Sequence, residues 1–233
     1  MITLSVDTTS PYCSVAVTKD SRPLASAALN SGNNHSVVLM PLIDGLLKSC
    51  NLTVSDIDLF AVTAGPGSFT GVRIGVSTVK GLAMGQGKPV MCLSTLDCLA
   101  NNLQGVDGII CPVMDARRNQ FYNALFSSKN GEITRLTEDR LIEADKLDVE
   151  LKRLGRIVYL VGDGYALAKK LLKYEKIKET PPLLISPNAV SVGTVAEIKY
   201  KEEPQSAKND TEAAPVYLRA SQAERERNER NNK

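Results

Sequence analysis

The sequence predicts an α/β protein of two domains that share one element order, βββαβαβα, and three observations predict it. Three β-type runs open the chain, the same order returns from Ile109 onward, and an aspartate closes the first strand of each half, Asp7 in VDTTS and Asp115 in MDARRNQ. A chain of 233 residues with 43% hydrophobic content is also long enough for two modest cores. Mixed sheets facing each other across a cleft are the expected result, with residues 1–104 as the first domain, 105–219 as the second and 220–233 as a charged tail.

The opening runs, Ile2–Asp7, Cys13–Lys19 and Pro23–Asn30, are separated by turn-forming TTSPY and KDS and read as an antiparallel meander. A helix is expected over His35–Cys50, where Val38, Leu39, Leu42, Ile43, Leu46 and Leu47 recur at helical spacing. Asn33 or Asn34 would cap it and Pro41 would kink it. A strand at Asp58–Thr63, a helix at Thr70–Gln86, a strand at Pro89–Leu93 and a helix opening on the capping-box-like Ser94-Thr95-Leu96-Asp97 complete the first half. In the second half strands are expected at Ile109–Asp115, Gln120–Phe126 and Glu132–Thr137, the last two joined at Lys129-Asn130-Gly131. There follow helix Glu143–Leu154, strand Ile157–Val161, helix Tyr165–Tyr174, strand Leu183–Ile185, and a helix after Ser186-Pro187 with proline at its first position.

The segment GPGSFTGVRIGVSTVKGLAMG carries the most information. Wound as a helix, it places Val72, Val76, Val79 and Ala83 on an apolar stripe and Arg73, Ser77, Lys80 and Met84 on a polar one. A third face holds Gly71, Gly75, Thr78, Leu82 and Gly85, residues that mostly have little side chain. An interior glycine costs about 0.8–1 kcal/mol against alanine, so close packing must compensate. Either the protein's own sheet or a second helix from another chain could supply it.

Composition sets limits. No apolar run approaches the length of a membrane span and the N-terminus lacks a signal-peptide pattern, so a cytoplasmic protein without membrane contact is expected. Five cysteines without CxxC spacing read as reduced core thiols. A net charge of +2 is too small for tight unaided binding to a phosphate backbone, so any nucleic acid would be reached through a partner. The tract Arg219–Lys233 mixes five basic with three acidic side chains and reads as solvated tail.

Little catalytic chemistry is visible. Asp7 and Asp115 could hold a magnesium–phosphate across the cleft, with Thr8 and Thr9 as donors and Gly162 and Gly164 of GDG as a further element, although neither strand-end turn is glycine-rich. The sole histidine, His35, has no cluster of metal-ligand residues around it, and Ser68 in GPGSFTG does not fit a nucleophile elbow.

The motifs IxLSVDTTS, Asn34-His35-Ser36, GPGSFTGVRIGVSTVKGLA, LSTLDCLA, MDARRNQFY, VGDG and Pro215-Val216-Tyr217-Leu218-Arg219 together closely resemble the TsaB (YeaZ) family over nearly the whole chain. That resemblance implies the actin-like, sugar-kinase and heat-shock-chaperone ATPase superfamily with ribonuclease-H-like halves. It also implies a non-catalytic scaffold role in placing threonylcarbamoyl on the adenosine beside the tRNA anticodon. The implied partners are a metal-bearing TsaD-type paralogue, a TsaE-type ATPase, tRNA indirectly through the complex, and a second copy as a homodimer in isolation. No cofactor is implied beyond weak ATP or ADP with magnesium at the cleft or subunit junction. Aligned with the paralogue's HxxxH helix and distant aspartate, this chain has Thr95, Leu99 and Pro187, none of them a metal ligand. The implied partner interface is His35, Leu39, Leu42, Gly71, Arg73, Gly75, Thr78 and Leu82, so that Gly75→Leu should break the complex and spare the monomer. The rival reading from the residues alone is an ATP-dependent small-molecule kinase or ATPase using Asp7 and Asp115. A metallopeptidase has no ligands to work with.

Overall fold

The computed structural model describes residues 1–32, 34–209 and 212–219; the charged tail 220–233 lies outside the described residues, as does Asn33. The first half follows the expected order: β1 (Ile2–Asp7), β2 (Cys13–Lys19), β3 (Arg22–Leu29), α1 (His35–Ser49), β4 (Leu59–Gly65), α2 (Phe69–Gln86), β5 (Val90–Ser94) and α3 (Thr95–Asn101). Its five-stranded sheet has the order β3-β2-β1-β4-β5, with antiparallel β1–β2 and β2–β3 pairs and parallel β1–β4 and β4–β5 pairs. Short turns allow the meander, whereas each parallel pair needs a helix to return the chain. Asn34 sits at the N-cap of α1 but its side chain makes no capping bond; Pro41 lies inside the helix on its exposed side. Ser68 caps α2, its Oγ accepting the Gly71 N–H at 3.2 Å, and Gly87 ends the helix in the left-handed region at φ 60°.

Leu39, Ile43, Leu46 and Leu47 from α1 and Val72, Val76, Val79 and Ala83 from α2 cover one face of this sheet, meeting Leu4, Val6, Val15, Phe60 and Val62. The chain thus stacks both helices side by side on that face, with their remaining sides outward.

The second half departs from the expected pattern. It runs β6 (Gly108–Asp115), β7 (Gln120–Asn123), β8 (Phe126–Lys129), β9 (Glu132–Arg135), β10 (Arg140–Glu143), α4 (Ala144–Leu154), β11 (Val158–Val161), α5 (Tyr165–Leu171), β12 (Ile177–Lys178), the helical turn α6 (Pro182–Ile185) and α7 (Ala189–Glu202). The strand expected at Gln120–Phe126 is broken in two. β7 pairs with the C-terminal end of β6 and β8 with its N-terminal end. Pro112 at the middle of β6 has no N–H for the ladder, and buried Asn123 bonds its carbonyl instead, Nδ2 to O 2.8 Å. Beyond the break the Leu125 N–H donates to Thr137 Oγ1 at 2.8 Å, which turns the chain. The segment expected as strand Leu183–Ile185 is the turn α6. Pro181 and Pro182 cannot donate to a ladder, and Ile177–Lys178 pairs with β11 in its place. Pro187 precedes α7 rather than opening it; Asn188 is the N-cap, its Oδ1 accepting the Val190 N–H at 2.9 Å.

The division at residue 104 falls on the α3–β6 link, yet the halves are not self-contained. The last helix of each half crosses over. Leu96, Leu99, Ala100 and Leu103 of the α3 region pack with Ile110, Met114, Phe126 and Val161 of the second sheet. Val192, Val195 and Ala196 of α7 pack with Leu59, Ala61, Met91 and Leu93 of the first. Ala189 is pinned to the first sheet from both sides, its carbonyl accepting Ser5 Oγ at 2.7 Å and its N–H donating to Ser14 Oγ at 3.0 Å. Glu197, fully buried in α7, accepts from Thr18 Oγ1 at 2.6 Å and from the Ser21 N–H at 2.5 Å, holding the β2–β3 turn. Arg135 and Lys199 share Asp97, so the expected capping-box partner of Ser94 is occupied elsewhere.

Candidate functional site

Where the halves meet, a cleft of about 600 Å³ opens between the β1–β2 turn, the start of α2, the β6–β7 turn and the C-terminal segment. Thr9, His35, Phe69, Asp115, Arg117, Asp163, Tyr217 and Arg219 are among the residues on its walls. The C-terminal segment clasps both halves. The Val216 N–H donates to Ala64 O at 2.7 Å on one side, and Arg219 Nη1 donates to Ala116 O at 3.1 Å on the other. Tyr217 stacks on Phe69 with centroids 4.7 Å apart and accepts Arg73 Nε at 2.8 Å on its hydroxyl; the Arg73 guanidinium lies 3.8 Å from the Phe69 ring centre.

Only two of the six residues expected to bind nucleotide, Thr9 and Asp115, reach this cleft. Asp7 is fully buried below it. Its Oδ1 accepts both the Thr9 N–H and the Thr9 hydroxyl at 3.0 Å, and burial raises its pKa against those lowering bonds. Thr8 is also buried and spends its hydroxyl on Gly71 O at 2.7 Å. A Cβ on Gly162 would collide with Val113 O, and one on Gly164 would come 2.9 Å from the same atom. These two glycines therefore let the β11–α5 turn pack directly on β6.

A phosphate cradle needs free N–H groups, and the two strand-end turns have turned several of theirs inward. In the first, Thr9 N–H is held by Asp7, Tyr12 N–H by Ser10 Oγ, and Pro11 has none. In the second, Arg117 N–H goes to Asp115 Oδ1, Ala116 N–H to Gln120 O, and Gln120 N–H to Arg117 O. No three His, Cys, Asp or Glu side chains among the described residues form a group able to hold a metal ion. His35 Nε2 lies 2.9 Å from Ser10 O, while Ser68 is engaged in capping α2, so the two form no nucleophile–base pair.

Asp163, which sequence reasoning counted within the Gly162-Asp163-Gly164 element without giving it a role of its own, is the member of that element that lines the cleft. Its Oδ1 accepts the Asp115 N–H at 3.2 Å. Loss of hydration in the cleft, with Asp115 and Asp7 adding repulsion, pushes it up to about 6 although the residue keeps solvent contact. An acid whose folded pKa exceeds its unfolded value of 3.8 binds protons more tightly when folded, so its charge opposes folding above pH 6. That opposition fades as pH falls from 6 toward 4. Asp163→Asn is therefore expected to raise the melting temperature at pH 7.5, with a gain that shrinks on titration to pH 4, measured by paired thermal melts.

The interface residues expected on α1 and α2 divide. Leu39, Gly71 and Gly75 are covered by their own chain: Leu39 is in the core, and a Cβ on Gly71 or Gly75 would collide with Thr8, at its carbonyl oxygen or its Oγ1 respectively. The small face of α2 thus rests at these positions on the β1–β2 turn, which corrects their assignment to a partner surface. His35 is half-buried at the cleft, Leu42, Thr78 and Leu82 are half-buried, and Arg73 is exposed. The open positions lie one step round the helices. Val37, Met40 and Met84 are 65%, 45% and 68% exposed, and a Cβ on Gly45, Gly81 or Gly85 would meet nothing within 4 Å.

Two crossed α/β halves around a cleft are the architecture of the actin-like ATPase fold. Component A of (R)-2-hydroxyglutaryl-CoA dehydratase from Acidaminococcus fermentans shares it at a TM-score of 0.52 and 12% identity, over 86% of this chain and 99% of that one. The family model described as "TsaD: tRNA N6-adenosine threonylcarbamoyltransferase" matches residues 29–226. The tRNA threonylcarbamoyladenosine biosynthesis protein TsaB of Bacillus subtilis (strain 168) is 33% identical over 225 residues, 96% of either chain. The structure of YeaZ from Pseudomonas aeruginosa superposes at a TM-score of 0.77 with 26% identity, covering 93% of this chain and 99% of that one. The chain belongs to the TsaB/YeaZ family, whose members are named for tRNA threonylcarbamoyladenosine biosynthesis.

Proposed function

We propose that this protein is a non-catalytic scaffold in tRNA threonylcarbamoyladenosine biosynthesis that docks a metal-bearing TsaD-type paralogue through the outer side of α1 and α2. A TsaE-type ATPase joins that assembly, the site of action is cytoplasmic, and in isolation two copies pair through the same side. One observation carries the reading: two adjacent helices expose Val37, Met40 and Met84 around Gly45, Gly81 and Gly85, where a foreign helix has room to approach closely. Three of this chain's own residues support the absence of catalysis. Thr95 and Leu99 are fully buried in α3 and Pro187 is buried before α7, so none of the positions aligned with the paralogue's ligands carries an imidazole or a carboxylate, and Leu99 and Pro187 have no side-chain lone pair at all. The kinase or ATPase reading loses support from Asp7, which is buried beneath the cleft, and from the inward-turned N–H groups of both turns. Reconstitution with the paralogue, the ATPase, the threonylcarbamoyl donor and tRNA tests the proposal. Omitting this chain should abolish modification, whereas full modification without it, or magnesium–ATP turnover by the chain alone, would overturn the scaffold role.

A further inference from the structure

Left-handed backbone is sterically costly for any residue with a Cβ, and proteins give such positions to glycine, asparagine or aspartate. Among the described residues, seven that are not glycine have φ between 51° and 66°. Five are the short polar Asp20, Ser21, Asn51, Asn119 and Asn130. The other two are consecutive arginines, Arg117 at 66° and Arg118 at 55°, in the turn between β6 and β7 at the mouth of the cleft. Glycine would fold this turn with less strain.

Neither arginine earns its place inside the molecule. Arg118 is exposed and makes no hydrogen bond or ion pair with any described residue. The Arg117 side chain is 85% exposed, with one long contact of 3.4 Å from Nη1 to Asp115 Oδ2. Arg219 brings a third guanidinium to the base of the same turn through its 3.1 Å bond to Ala116 O. Of the nearby acids, Asp115 offsets part of the Arg117 charge across that 3.4 Å contact and Glu143 is paired with Lys146 at 2.9 Å, which leaves Arg118 without an acid partner among the described residues.

We infer that the Arg117–Arg118 turn, with Arg219 beside it, is a phosphate-backbone contact for RNA on the exposed rim of the cleft. A guanidinium suits a phosphodiester because its planar fork matches two phosphate oxygens, and two neighbours on a tight turn can straddle one strand. Selection of arginine where glycine would be easier is then a concession of backbone comfort to binding. The choice of RNA over another anion rests on the proposed role in tRNA modification, and it adds to that role a direct contact where composition alone implied only an indirect one.

The test uses the full chain assembled with its TsaD-type and TsaE-type partners, and fluorescent tRNA titrated at several salt concentrations. For the Arg117→Gly/Arg118→Gly variant, and for Arg118→Asn alone, the melting temperature should be unchanged or raised and co-elution with the partners intact. The tRNA affinity should fall, and the slope of log Kd against log salt should drop by roughly 1 to 2 for the double variant. An unchanged slope overturns the inference. So does loss of co-elution with tRNA affinity preserved, which would make the arginines a contact for an acidic protein surface. The same titration on the isolated chain separates this inference from the docking proposal. If the isolated wild type binds tRNA in a salt-dependent way that the Arg117→Gly/Arg118→Gly variant loses, yet the wild type fails to join the partners, docking fails and the RNA contact stands. No salt-dependent tRNA affinity in either form overturns the RNA contact.

Discussion

Gly71→Ala is expected to lower the stability of this protein by about 3 kcal/mol, the upper part of the usual range for overpacking, although helix propensity alone predicts a gain of about 0.8–1 kcal/mol. The opposite sign follows from one contact. A methyl group at Gly71 would occupy the space of the Thr8 carbonyl oxygen, which is backbone and cannot swing aside. Thr8 is itself held, its hydroxyl on Gly71 O and its neighbours Asp7 and Thr9 locked to each other, so the β1–β2 turn would have to lift off α2. Gly75→Leu acts the same way at the Thr8 side chain, with the Val62 methyl 3.4 Å from the new Cβ. Urea unfolding followed by far-UV circular dichroism measures the loss. A Gly71→Ala protein at least as stable as the wild type would show that the helix does not rest on this turn.

Gly81→Leu gives the contrary pattern on the same helix. Nothing lies within 4 Å of a Cβ there, so the monomer should keep its stability or gain up to about 0.8 kcal/mol from better helix propensity. Docking should suffer instead, because an isobutyl group stands where the partner backbone approaches. We expect binding to the TsaD-type subunit to weaken by about 2.8 kcal/mol, roughly a hundredfold in Kd, measured by calorimetry on purified subunits. Taken together, the two substitutions distinguish the inward and outward sides of α2: one damages the fold, the other the assembly.

The contrast also shows where sequence reasoning stops. A period of 3.6 places Gly71, Gly75, Thr78, Leu82 and Gly85 on one side of α2, but local pattern carries no record of which backbone lies opposite. Gly71 and Gly75 turned out to face Thr8, some sixty positions earlier in the chain, while Gly81 and Gly85 face outward. The first half was otherwise legible almost element by element, because its hydrophobic spacing, the Ser94 cap and short turns all point the same way, the Ser68 cap of α2 being added by the structure. The second half was less so. Pro112 and Asn123 split one apparent strand, and Pro181-Pro182 barred another, through hydrogen bonds made far from the local pattern.

The exchange of α3 and α7 between the sheets left a different kind of trace. Gly193 in α7 is tight against the first sheet, an added Cβ lying 3.0 Å from Thr18 Oγ1 and 3.1 Å from Ser5 Oγ, yet a glycine within a helix does not name the strand it meets. At the cleft, Thr9 and Asp115 were found because strand ends are where ligands are usually sought. Asp163 was written between the two glycines that drew attention and has a stronger claim than either, since a side chain in the cleft can touch what enters it. The strained arginines of MDARRNQ were visible as residues, but only backbone angles show what their presence costs.

The central claim is that docking takes place on the outer side of α1 and α2, and methionine methyl spectra test it most directly. Met40 and Met84 lie exposed on that side, whereas Met91 and Met114 are buried, the latter in the wall of the cleft. With ε-13C-methionine in this chain and an unlabelled TsaD-type subunit added, the Met40 and Met84 signals should shift or broaden to saturation while Met91 and Met114 hold their positions. Perturbation of Met114 with Met40 and Met84 unmoved would contradict the account and place the partner at the cleft.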